Sequence, residues 1–116
     1  MPAFNAAQTP TELASGDRVA VLNAENLANA AFTMAVSLTP QPNGPIMLGV
    51  WNNSGQTVTL QASPDLVQAD FLPVSSGAQA ISVATGAVGE FSVSSGLYYA
   101  VKAGAAITAG TIWLAR

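Results

Sequence analysis

Apolar and polar positions alternate along most of this chain. Phe32, Met34, Val36 and Leu38 interleave with Thr33, Ala35 and Ser37, the period-2 signature of a strand with one buried face. The same alternation recurs at residues 57–61, 81–83, 91–93 and 97–102. Between them, Ile46-Met47-Leu48-Gly49-Val50-Trp51 is apolar at every position, as expected for a central strand covered on both sides or for a strand at a subunit contact. That run stops at Asn52-Asn53-Ser54-Gly55, where Gly55 can supply a positive φ, and Thr57 begins what reads as the return strand of a hairpin. Ser-Gly breaks at Ser15-Gly16, Ser76-Gly77 and Ser95-Gly96 divide the rest into segments of the length a sandwich uses.

These signals predict strands at about 17–23, 31–39, 45–53, 56–63, 66–74, 79–85, 88–94, 97–103 and 107–115. Eight or nine short antiparallel strands in two sheets make an all-β, single-domain sandwich of jelly-roll type, with a partly closed barrel as the nearest rival. Residues 1–16 have no sustained period, and they read as an extended N-terminal arm with Phe4 and Leu13 as its apolar points, ahead of a domain at 17–116. A helical turn fits only Ala24 to Ala31, with Leu27 and Ala28 inward.

Composition sharpens this picture. Of the 116 residues, 50% are hydrophobic and 8% charged, against about 25% charged in ordinary soluble domains. High hydrophobicity with low charge is the opposite of the disordered signature. The charge-free run from Asn26 to Pro64 is interrupted by Pro40, Pro45, Asn52 and Asn53, so a membrane span is not expected. The opening MPAFNAAQTPTEL has no basic region followed by an apolar stretch, so a secretory signal is not expected either, and synthesis and retention in a cytoplasm follow. Three cations, Arg18, Lys102 and Arg116, in a chain of net charge −3 make nucleic acid a poor partner. Without cysteine, stability must come from packing or oligomerisation.

Candidate chemistry is sparse. The absence of histidine and cysteine removes the commonest general base, the commonest metal ligands and the usual nucleophile pairs. Asp65 and Asp70, five apart, would on a strand point to opposite faces, wrong for a paired acid and base, and each reads as a solvated turn residue or local cap, in keeping with the Ser63-Pro64-Asp65 turn. Gly86-Ala87-Val88-Gly89 lacks the lysine and helix of a phosphate loop and reads as a hairpin turn, and Lys102 reads as a snorkelling surface residue. The expectation is a protein without catalytic activity, cofactor or metal.

Aromatic residues carry the remaining signal. If Leu97, Tyr99 and Val101 face the core, Tyr98 faces outward; if Ile112 and Leu114 face the core, Trp113 faces outward as well, and Trp51 is a third candidate. Such residues suit a protein interface or a sugar-stacking platform, and in the opposite register they are core. The charge deficit favours an interface, because neutral polar surface is cheaper to bury than charge. Phe4, Leu13, Trp51, Tyr98 and Trp113 are therefore the expected contact residues, with the arm ordering on a neighbour.

The Ala/Ser/Thr/Gly-rich, cysteine-free make-up, the short arm, and the closing stretch SSGLYYAVKAGAAITAGTIWLAR with its two hairpin-like halves resemble the small capsid decoration proteins of tailed bacteriophages, also called cement or head-stabilising proteins. The resemblance covers nearly the whole chain and carries no fixed motif, so no binding residue is transferred from it. It implies a jelly-roll or related β-fold and a homotrimer or homodimer. It further implies a non-enzymatic virion role, stabilising the capsid by bridging major capsid protein subunits from the outer surface, after synthesis in the host cytoplasm. A carbohydrate-binding module, or another phage component such as a tail or fibre subunit, is the alternative expectation.

Overall fold

A computed structural model of the chain describes residues 4–41, 45–76, 79–80 and 82–116. Its strands, in chain order, are β1 (Thr11–Leu13), β2 (Arg18–Asn23), β3 (Val36–Leu38), β4 (Ile46–Asn53), β5 (Val58–Ser63), β6 (Leu72–Pro73), β7 (Ser75–Ser76), β8 (Gln79–Ala80), β9 (Ser82–Val83), β10 (Ala87–Val93), β11 (Tyr98–Ala103) and β12 (Thr111–Ala115). They form two packed sheets, so the chain is an all-β protein compatible with a β-sandwich. The first sheet runs β1-β3-β11-β5-β6, with β9 also on β5; the second runs β10-β4-β12-β2. A small hairpin, β7-β8, stands apart. Every pairing is antiparallel except β1 with β3.

Strand partners nest. β2 pairs with β12, β3 with β11, β4 with β10 and β5 with β9, as in one long hairpin folded over on itself. Consecutive major strands consequently fall in opposite sheets. This corrects the hairpin expected at Asn52-Asn53-Ser54-Gly55: β4 and β5 do not pair, and the turn carries the chain from the second sheet to the first. The two halves of the closing stretch, β11 and β12, are likewise in different sheets, and Ala87, Val88 and Gly89 belong to β10 and not to a turn.

The corner after β4 is built around a buried amide. Asn52, 1% exposed, donates from Nδ2 to the Gln56 and Val83 carbonyls at 2.8 Å each, while its Oδ1 accepts from the Ser54 N–H and hydroxyl. Four satisfied bonds tie β4, the corner and β9 together, which makes an interior amide tolerable. Gly55 takes the positive φ the sequence predicts, at 86°. Gly110, at 105°, lies so close to this corner that a Cβ there would stand 2.7 Å from the Ser54 Cα.

Between the sheets, alternation does what period 2 demands. Ile46, Leu48 and Val50 of β4 point inward with Val58, Leu60, Val101, Ile112 and Leu114, all of them buried. Each such side chain contributes on the order of 1.5–3 kcal/mol by leaving water. Tyr99 joins them, and its hydroxyl donates to the Ser94 carbonyl at 2.8 Å, so its polar end is not stranded.

Three local expectations change. The helical turn at Ala24 to Ala31 is absent: Ala24 and Ala30 have φ of 54° and 61°, which no right-handed helix allows, and Leu27 is instead buried as a bridge partner of Ile107. The strand expected at 66–74 is a 3₁₀ turn at Gln68–Asp70 followed by the two residues of β6. Of the predicted arm, residues 11–13 are strand β1, and Leu13 is 1% exposed in the core. The arm's first three residues, the Gly77 break and Ile81 of the 81–83 alternation lie outside the described residues.

Candidate interaction surface

The sheets differ on their outer sides. Across the first sheet lies a second apolar cluster in which Phe32, Ala35, Phe71 and Ala100 are buried, with Phe4, Leu66 and Tyr98 packed against it. The Phe71 ring meets Phe4 edge-on at 5.4 Å and Phe32 at 5.6 Å. The Phe4 N–H donates to the Phe32 carbonyl at 2.8 Å, so the segment from Phe4 lies against its own domain. Lys102 places its ammonium 5.6 Å from the Phe32 ring, a snorkelling arrangement.

Across the second sheet no such cover exists among the described residues. Register fixes what its outer face presents. Val88, Trp51, Trp113 and Ala20 are successive cross-strand partners and form one row; Glu90, Gly49, Ala115 and Arg18 form the next. Ser92 and Met47 are paired one step beyond. Val88 is 60% exposed, Met47 46% and Trp51 42%; Trp113 is half-buried beneath the Arg18 guanidinium, which stands 5.9 Å from its ring. Along the second row, Gly49 and Ala115 leave a shallow trough of about 260 Å³ with Met47, Val88, Glu90 and Arg116 at its sides.

Of the five residues expected to make contacts, the structure brings two together, Trp51 and Trp113, directly opposite each other on β4 and β12. Tyr98 faces the outside of the first sheet, half-buried against the Phe71 cluster. Phe4 is half-buried in the same cluster, and Leu13, being interior, is corrected from an arm contact to a core residue. Val88, Met47, Arg18 and Glu90 complete the open face and were not singled out in the sequence. The alternation of β10 tells which of its residues share a side, but only its register with β4 sets Val88 beside Trp51.

The two aspartates are the solvated turn residues the sequence predicts, and the turn also brings them together. The Asp65 carboxylate accepts from the Ser63 hydroxyl and the Val67 N–H, each at 3.1 Å, and the 3₁₀ turn that follows folds Asp70 back onto it. The Val67 N–H holds the Asp65 carboxyl below the usual carboxylate range. The hydrogen bond to Asp65, and then its charge, push Asp70 up. Both are solvent-exposed, and the pair closes a turn. Nearby, a cleft of about 410 Å³ at the sandwich edge, lined by Ala62, Pro73, Val93, Leu97 and Tyr99, has Asp70 as its one ionisable carboxylate. No group of three or more His, Cys, Asp or Glu able to hold a metal occurs among the described residues.

Compared with known proteins, the chain matches no family model, no curated protein and no solved structure.

Proposed function

We propose that this chain is a non-enzymatic structural subunit that works by association, and that it decorates a tailed-phage capsid, bridging major capsid subunits on the outer surface. The observation that carries the reading is the open face of the second sheet. Trp51, Val88 and Met47 stand exposed there in a chain with few charges to keep such a face solvated. Tryptophan and methionine are enriched in protein interfaces, while lysine, glutamate and aspartate are depleted.

The strand order supports the architecture that goes with this role. Nested pairing of β2 with β12, β3 with β11, β4 with β10 and β5 with β9 is how a jelly roll wraps, and β1 then adds a parallel strand at one edge. Viral capsid domains use that wrap, as do lectins. Electron cryomicroscopy of particles assembled with and without the protein tests the reading: ordered density across capsid subunit joints and greater heat resistance are expected, and unchanged particles would refute it.

A second reading rests on one feature, the Trp51 and Trp113 pair opposite each other on an open sheet, which suits a stacked sugar ring. A glycan array separates the two, since a capsid subunit gives no carbohydrate signal.

A further inference from the structure

We infer that the occupant of the open face of the second sheet is a second copy of the same chain, docked about a two-fold axis that runs along the strands between β4 and β12. The inference rests on the proposed function's reading of that face as a contact surface and gives the contact to a second copy, so that the dimer meets the capsid by its remaining surface.

Charge placement is the argument. Within β2, β4, β10 and β12 the charged residues are Arg18 and Glu90. Both are exposed on the outer face, and they occupy opposite ends of a single row, Glu90-Gly49-Ala115-Arg18. A two-fold axis along the strands reverses each row without moving it along the strand. Glu90 of one copy then faces Arg18 of the other, twice per dimer, and the neutral pair Gly49 and Ala115 meets itself reversed. An axis across the strands would not bring these charges into register. The face is thus self-complementary in the way an isologous contact requires.

Shape agrees. In the neighbouring row Val88 faces the second copy's Ala20, large against small, and Trp51 faces the second copy's Trp113. Sheets packed face to face stand about 10 Å apart, within reach of interdigitated side chains.

Area sets the strength. Four strands about 4.8 Å apart, with about 3.4 Å of rise per residue, give a face on the order of 400 Å². A standard interface buries about 800 Å² per partner. Self-association through so small a face is therefore of the weak, transient kind.

The test is sedimentation equilibrium of the full chain from about 1 μM to about 1 mM, a range that reaches weak association. The expected result is a monomer–dimer equilibrium. Glu90→Arg and Arg18→Glu should each weaken it about tenfold, since two attractive pairs become repulsive. The double variant Glu90→Arg with Arg18→Glu should recover it. Both positions are exposed, and unchanged melting of each variant verifies the fold. A monomer throughout, or a double variant no better than the singles, overturns the inference. Capsid binding is measured beside it: a monomeric protein that still occupies capsids defeats the dimer alone, whereas a dimer that never binds capsids defeats the proposed function alone.

Discussion

The outer side of the first sheet and the outer side of the second are made from the same kind of strand and meet opposite fates. On the first, the chain's own segments return to cover it, and Phe4, Phe32 and Phe71 close over Ala100. On the second, Trp51, Val88 and Met47 stand open. Residue type does not separate them, since both sides offer aromatics. What separates them is whether a connection passes overhead. The segment after β5 turns at Asp65, makes its 3₁₀ turn and drops Phe71 onto the first sheet. The corner at Asn52, by contrast, is short, and its bonds turn onto β9 and its own backbone at the end of the second sheet. A covered face belongs to the fold's stability, and an uncovered one is free for association.

Substitutions that tell the faces apart have graded effects. Phe71→Ala should cost most, about 3–5 kcal/mol, because it empties the centre of the covering cluster; denaturant unfolding measures it, and a loss under 1 kcal/mol would break the contrast. Phe4→Ala removes one half-buried ring from the rim of that cluster and should cost about 1–2 kcal/mol in the same assay. Trp51→Ala, on the open side, should change monomer stability by no more than about 0.5 kcal/mol while reducing self-association in sedimentation. The comparison fails if Trp51→Ala destabilises the monomer as much as Phe71→Ala.

The smallest effect concerns pH and the turn that carries Phe71. Asp65 titrates low, so the stability it contributes is present above its unfolded pKa and is lost as pH falls through its folded value. Asp70 titrates high, so its folded form retains a proton, and stability falls as pH rises through its range. The two oppose each other, and the net slope in the carboxylate range should be shallow. Asp70→Asn removes the second contribution and leaves a rise in stability with pH. Carboxyl titration by NMR checks the order directly, with the Asp65 midpoint below and the Asp70 midpoint above the ordinary value.

What was legible in the sequence was, for most strands, the side each residue faces, but not at Phe32, which lies in the outer cluster while Val36 and Leu38 of the same alternation lie in the core and only Val36–Leu38 is strand. Ile112 and Leu114 place Trp113 outward by parity alone, and the structure agrees. Gly55 gave away its positive φ. Period 2, however, assigns a residue to a face and says nothing about which sheet receives the strand. Asn52-Asn53-Ser54-Gly55 therefore looked like a hairpin although it is a corner. Short elements were misread for a related reason. β1 has three residues, too few to show a period, so Leu13 passed for a point on a loose arm. Asp65 and Asp70 read correctly as solvated turn residues, but that the bonds to Ser63 and Val67 bend the chain enough to bring the two carboxyls together is not visible in their spacing. The open face was half legible: its tryptophans were visible, and its two charges acquire meaning only when register sets them in one row.

Nested pairing has a consequence in time. β2 pairs only with β12, and β3, beyond its short parallel pairing with β1, must wait for β11, so the early strands wait for the latest before either sheet can close. A chain with this order gains little from local contacts and must close long loops first, which places its folding among the slow, millisecond-to-second class. On a ribosome, β2 to β5 would emerge without their partners, holding their edges unpaired until β9 to β12 followed. The scarcity of charge that favours association in the finished protein then becomes a hazard during synthesis, when those same neutral strands are exposed.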